Sequence, residues 1–171
     1  MKYKFNEGDI LKVEWIDSTS EHGWHDFEEL KNITLRDHNI NKYSDFCRRI
    51  LNKKSISEKN SPLYHIVEQM EKIGDIYRDL CLYVSENKLK IDKEIIELYA
   101  KVNEFLSFFY ETFYKFNFQN IEEFGRKRNE IHNLINRSFS SKAYDKHILF
   151  YLNNIFNTVF DLNGALMTYH I

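Results

Sequence analysis

A regular apolar repeat in the second half of the chain constrains its fold more than any other feature. From Ile95 to Phe116, large apolar residues recur at alternating intervals of four and three. This spacing is a heptad seam, which places the apolar side chains on one face of an α-helix that packs against other helices. It indicates a helical bundle. The residues of the seam are Ile95, Tyr99, Val102, Leu106, Phe109, Phe113 and Phe116.

The scarcity of turn residues extends this interpretation to most of the chain. Its 171 residues include 5 Gly and 1 Pro, fewer than a chain of many short strands requires. We therefore predict an all-α fold, an antiparallel bundle of about five helices. We expect the third helix to be central, because additional Phe side chains widen its apolar face. The predicted helices cover about 38–53, 62–86, 93–116, 121–139 and 141–170.

Polar residues at the predicted helix starts, and glycines within the helices, refine this outline. Ser61 precedes Pro62 as an N-cap, and Asn120 forms a capping-box pattern with the Glu three residues later. Gly74 and Gly164 interrupt apolar helical patterns, at a cost of about 1 kcal/mol each relative to Ala. We expect a close approach between helices at both glycines to offset that cost.

The N-terminal region has a different pattern. Residues 9–17 alternate apolar and polar side chains, which predicts one β-strand, and residues 24–30 suit a short helix. We therefore divide the chain into a β element with a short helix (1–33) and a helical bundle domain (34–171). The sequence from Val13 to Ser18, with Gly23 and Trp24, gives residues 10–31 a resemblance to small phage-associated β modules of unknown role. This resemblance implies no activity.

Charge and hydropathy exclude several classes of protein. The formal net charge is -2, so no overall basic field favours nucleic acid or anionic membranes. No stretch approaches the 18 uncharged apolar residues of a membrane span. Cys47 and Cys81 lie at apolar helix positions, which predicts reduced thiols in the core. We expect a cytoplasmic protein that does not insert into membranes.

The second predicted helix carries the first candidate site. Glu68, Glu71, Asp75 and Asp79 share one face of this helix, away from its apolar stripe. Glu71, Asp75 and Asp79 are candidate metal ligands if a second helix supplies further oxygen or imidazole groups. The alternative is a solvated acidic face relieved by nearby basic residues.

The same segment resembles a known family. The sequence from Met70 to Tyr77, MEKIGDIY, is similar to the E-R-I-G-D signature of PhoU-type phosphate-uptake regulators, and the likeness extends over residues 34–169. A second copy keeps Asp161 but has Asn157 where the family has Glu. The resemblance implies a regulatory or adaptor protein linked to phosphate uptake, with a protein partner or a homodimer. Iron or zinc would be its metals, with magnesium as a further candidate for the carboxylates.

An alternative function comes from the fourth predicted helix. Arg126 and His132 resemble the R-x(4–6)-H signature of HEPN ribonucleases, in which two such helices meet in a dimer. The resemblance implies that Arg126 stabilises phosphate and that His132 transfers a proton at the 2′-hydroxyl. Six residues of helix separate the two side chains by about 120° around the axis, so they do not share a face. A solvated helix surface explains both residues equally well.

Overall fold

The described part of the chain consists of five helices and contains no strand. A computed structural model describes Leu30, residues 37–53 and residues 58–171. The strand predicted at 9–17, and with it the N-terminal β element, lies outside the described residues. In this part of the chain, no helix is long and apolar enough to span a membrane. The helices are α1 (Asp37–Lys53), α2 (Asn60–Glu86), α3 (Lys93–Tyr114), α4 (Phe118–Ser140) and α5 (Lys146–His170).

Contacts between helix ends establish an up-and-down order. The C-terminal end of α2 meets the start of α5, where the Tyr83 hydroxyl donates to Asp145 at 3.1 Å. These two helices are therefore antiparallel. The C-terminal ends of α3 and α5 lie together, because the rings of Phe113 and Tyr169 stack with centroids 5.1 Å apart. Helices α3 and α5 consequently run parallel, as expected when each helix reverses the direction of the one before it.

The central helix is α5, and the prediction that the third helix holds this place was wrong. Helix α5 packs against α2, α3 and α4, whereas α3 packs mainly against α4 and α5. The apolar residues of α5 extend around more than one face, and nine residues of this helix are buried. The seam of α3 is buried too, and Phe109 is fully buried, but its other side remains charged. The buried residues of α5 include Leu149, Leu152, Ile155, Phe156, Val159, Leu162 and Leu166.

Three helix starts differ from their predicted positions. Helix α4 begins at Phe118, because the side chain of Asn117, not Asn120, caps it by accepting a hydrogen bond from the Asn120 amide at 2.7 Å. Helix α5 begins after Asp145, whose carboxylate accepts from the amides of His147 and Ile148 in the first turn of the helix. Helix α2 begins at Asn60, one residue before the predicted cap. In each case the helix begins at a residue of the preceding loop other than the one predicted from the sequence.

The two glycines singled out from the sequence behave differently. A Cβ added at Gly74 would lie 2.8 Å from Cδ1 of Ile40, so the predicted close approach is confirmed between α1 and α2. Nothing lies within 4 Å of a Cβ added at Gly164, which is exposed. The prediction for Gly164 was therefore wrong. The predicted burial of Cys47 and Cys81 as free thiols is confirmed.

Candidate functional site

Arginine side chains occupy the acidic face of α2. Arg48 reaches across from α1 and places its Nη1 2.6 Å from Oε2 of Glu71, while its Nη2 donates to Asp45 at 2.9 Å. The hydrogen bonds to Asp45 and Glu71 raise the pKa of the Arg48 guanidinium. The side chains of Arg48 and Glu71, which join α1 to α2, are both largely buried. Glu71 is thus part of the contact that holds α1 on α2.

The two aspartates of this face share a second arginine. Arg78 donates to Asp75 at 2.6 Å and to Asp79 at 2.9 Å. The cation that neighbouring carboxylates require is therefore supplied by the chain itself. Among the described residues, no three His, Cys, Asp or Glu side chains are grouped so that they could hold a metal ion. The assignment of Glu71, Asp75 and Asp79 to a metal remains a prediction.

Helix α4 separates the two residues of the alternative site. Arg126 projects into solvent with 67% of its side chain exposed, and Glu123 binds it through two hydrogen bonds of 2.8 and 2.5 Å. This ion pair raises the pKa of Arg126 and lowers that of Glu123. His132 lies on another side of the helix, with its ring stacked 6.4 Å from that of Phe156 in α5. The structure does not bring Arg126 and His132 together.

Arg128 takes the position beside His132 that sequence reasoning gave to Arg126. Its guanidinium carbon lies 4.9 Å from the ring centroid of Phe160 in α5, one helical turn from the contact between His132 and Phe156. Side chains four residues apart on a helix are neighbours, with Cβ atoms about 6 Å apart. The i, i+4 spacing signals this pair in the sequence, although it is one residue shorter than the family pattern requires.

Arg128 also differs from the other arginines of the site regions in its partners. Arg48, Arg78 and Arg126 each bind a carboxylate. Arg128 binds no carboxylate among the described residues and donates to the neutral side chain of Asn129 at 3.1 Å. Its Nε atom is buried and has no acceptor among the described residues. A guanidinium that lies against an aromatic ring and is not neutralised by a carboxylate is suited to bind an anion through its terminal nitrogens.

The side of α4 that carries Arg128 and His132, next to α5, is accessible to a ligand. We call this surface the α4–α5 flank and define it by Gly125, Arg128, His132 and Asn136. Nothing lies within 4 Å of a Cβ added at Gly125. The amide nitrogen of Asn136 lies 3.0 Å from Nε2 of His132 and orients the imidazole. The flank therefore presents one cation and one proton-transfer group side by side, as phosphodiester chemistry requires.

Comparison with known proteins adds no relative to this geometry: no family model, no curated protein and no solved structure matches the chain.

Proposed function

We propose that this chain acts on RNA through the α4–α5 flank, as a HEPN-like ribonuclease that works as a homodimer. In this proposal Arg128 binds the scissile phosphate and His132 transfers a proton. Arg126, which the resemblance assigned to phosphate, is replaced in that role because it is paired with Glu123 and lies on another side of the helix.

The observation that carries the proposal is the guanidinium of Arg128, which binds no carboxylate among the described residues and lies one turn from His132. Burying part of a guanidinium without a carboxylate partner costs free energy. A phosphate at the terminal nitrogens would neutralise this cation, and bidentate contacts between Arg and phosphate are among the strongest hydrogen bonds in proteins. The imidazole beside it belongs to the side chain whose usual pKa lies closest to neutral pH.

The proposed reaction is attack of the ribose 2′-oxygen on the adjacent phosphorus. The new O–P bond forms as the bond to the 5′-oxygen breaks, which yields a cyclic phosphate and a free 5′-hydroxyl. One imidazole accepts the proton of the 2′-hydroxyl, and a protonated imidazole donates to the leaving 5′-oxygen. Because each chain supplies one His132, a second copy of α4 would supply the other imidazole. The homodimer is therefore part of the proposal.

The test compares three alanine variants in cleavage of a labelled single-stranded RNA. We expect Arg128→Ala and His132→Ala to reduce cleavage by roughly 10²- to 10⁴-fold, while Arg126→Ala retains most of the activity. Circular dichroism shows whether each variant is folded, and light scattering measures whether the active species is a dimer. Equal loss in Arg126→Ala and Arg128→Ala would contradict the assignment, and a wild type without cleavage at any protein concentration would refute the function.

A second proposal keeps the PhoU-like regulator, in which Glu71, Asp75 and Asp79 contact a cation or a protein partner. Support for it comes from the up-and-down helical architecture and from the exposure of Asp75 and Asp79, which retain 42% and 47% of their side-chain surface. A cation that binds here would compete with Arg78, so it would stabilise the fold only as its concentration passes the dissociation constant.

Thermal unfolding tests this second proposal. The wild type is heated with and without Mg²⁺, Mn²⁺, Fe²⁺ and Zn²⁺, and Glu71→Gln/Asp75→Asn is the comparison. A metal site predicts a rise in the melting temperature of the wild type alone. If no ion raises it and the double variant still binds every partner, the carboxylates are structural.

A further inference from the structure

An exposed aromatic ring lies at the start of α4. Phe118 is the most exposed phenylalanine among the described residues, with 69% of its surface accessible. A large apolar side chain in water gains free energy when another flat apolar group covers it. The packing behind the ring and its place on the helix indicate which group that is.

Neighbouring side chains fix the orientation of Phe118. The edge of its ring meets Phe116, with centroids 5.8 Å apart and planes at 68°. Phe116 in turn stacks nearly parallel on His170, at 4.4 Å and 10°. An imidazole nitrogen of His170 lies 2.9 Å from the Phe113 carbonyl, which anchors the assembly on the end of α3. The exposed ring is therefore supported from behind and loses little freedom when a ligand stacks on it.

Phe118 lies on the same side of α4 as the α4–α5 flank. At 100° per residue, Phe118 and Asn136 point in the same direction from the helix axis, and His132 points about 40° away from them. The contact of Phe118 through Phe116 with His170 places the ring towards α5. Fourteen residues separate Phe118 from His132, a distance of ~21 Å along the helix. About six stacked nucleotides of a single strand span this distance, at ~3.4 Å each.

The charged residues on the path from Phe118 to His132 suit a polyanion. Residues 115–132 include four basic and three acidic side chains. Glu123 binds Arg126 and Lys127, and Glu130 binds Lys101 of α3. Among the described residues of this segment, Lys115 and Arg128 are therefore the bases without a carboxylate partner, against one unpaired acid, Glu122. The exposed Lys115 precedes the aromatic ring, and Arg128 lies near the other end of the path. Basic groups that follow a backbone, with an aromatic ring for a base, are the features of single-strand binding.

We propose that Phe118 is a base-stacking residue of a single-stranded RNA subsite that continues along α4 to Arg128 and His132. This inference rests on the proposed ribonuclease function and adds the form of its substrate. The strand is unpaired, and a base about six nucleotides from the scissile phosphate lies on the Phe118 ring. Because every base has an aromatic face, this contact strengthens binding without selecting a sequence.

The experiment measures the affinity of the full chain for two 2′-O-methylated RNA probes, an octanucleotide and a dinucleotide. Methylation removes the attacking hydroxyl, so binding is measured without cleavage. Phe118→Ala is expected to weaken octanucleotide binding by roughly 5- to 150-fold, the usual effect of losing one base stack. Dinucleotide binding should not change, because a dinucleotide cannot reach from the Arg128 region to Phe118. Phe118→Trp should retain octanucleotide affinity.

Phe150→Ala is the matched control. Phe150 is also exposed, with 57% of its surface accessible, but it lies on α5 near the opposite end of α4. Its removal should leave both affinities unchanged. An octanucleotide affinity that is equal in the wild type and Phe118→Ala overturns the subsite alone. A change of oligomeric mass in Phe118→Ala, without loss of RNA affinity, would instead identify Phe118 as a contact between copies of the chain. A wild type that binds neither probe overturns the ribonuclease proposal together with its subsite.

Discussion

The side chain of Asn103 provides a polar contact between two helices within an apolar core. Its Oδ1 accepts a hydrogen bond from the hydroxyl of Tyr77 in α2, and Tyr99 on α3 also bonds to it. The rings of the two tyrosines meet edge to face, 5.9 Å apart. Burial raises the pKa of both phenols. A single amide thus forms hydrogen bonds with two buried tyrosine side chains.

Replacing this amide tests its contribution to stability. Asn103→Leu removes the Asn103 acceptor of the Tyr77 hydroxyl, and we expect the free energy of unfolding to fall by about 1–3 kcal/mol. Adding Tyr77→Phe removes the hydroxyl that has lost this hydrogen bond and should recover part of the loss. Chemical denaturation of both variants measures the difference. If Asn103→Leu is as stable as the wild type, water replaces the amide and the contact is not structural.

The Cys81 thiol predicts a loss of stability in alkali. Burial raises its pKa from about 9 to about 12, so the folded state keeps a proton that the unfolded state releases above pH 9. The stabilisation is complete below pH 9 and is lost as the pH rises towards 12. The slope for one such group is about 1.4 kcal/mol per pH unit.

Cys81→Ala isolates this contribution. Between pH 9 and 10 the variant should lose stability less steeply than the wild type, because ionisation of the tyrosines is common to both proteins. Urea unfolding at pH 8, 9 and 10 measures the slope. Cys47→Ala serves as the comparison, since Cys47 is less deeply buried and burial raises its pKa by a smaller amount. Parallel curves for Cys81→Ala and the wild type would contradict the assignment.

At the scale of the helices, the glycines give opposite predictions. Gly164→Ala replaces an exposed glycine in α5 with a better helix former, and its new methyl group meets no atom within 4 Å. We expect a gain of about 0.5–1 kcal/mol. Gly74→Ala gains the same propensity but pushes its Cβ against Ile40, which should cancel the gain or reverse it.

A double-mutant cycle separates the two effects at Gly74. Ile40→Val removes the Cδ1 atom that a Cβ at Gly74 would meet, so Gly74→Ala should be more favourable in that background than in the wild type. Thermal unfolding of the four proteins gives the coupling energy. Independent effects of the two substitutions would mean that α1 shifts away without cost.

The apolar spacing predicted the helices well because burial of one face fixes their period. The seam from Ile95 to Phe113 is buried or half-buried as expected. Helix starts were less predictable, since Asn117 and Asn120 are equivalent as residues and only the geometry of the link selects one. The pairing of Arg126 follows from Glu123 one turn earlier in the sequence. The environment of Arg128 could not be predicted, because it depends on how α5 packs beside α4.

At the scale of the whole molecule, the helices differ in how firmly they are held. Helix α5 packs on three neighbours, whereas α1 packs mainly on α2. The contacts of α1 with α2 include the approach of Ile40 to Gly74 and the ion pair between Arg48 and Glu71. The exposed fractions of Tyr43 and Ile50 are 50% and 38%, so the apolar face predicted for α1 is only partly covered.

This arrangement predicts two levels of protection in native-state hydrogen exchange. Amides of α5 should exchange only through global unfolding, whereas amides of α1 should exchange through a local opening of lower free energy. Arg48→Ala removes the ion pair with Glu71. It should lower the protection of α1 by about 1 kcal/mol or less. The protection of α5 should stay unchanged unless global stability also falls. Lys101→Ala is a matched control, because it breaks a surface ion pair with Glu130 between α3 and α4, 2.9 Å long, without touching α1. Equal protection of α1 and α5 in the wild type would show that the first helix unfolds only with the bundle, and that Arg48 and Glu71 stabilise the molecule as a whole.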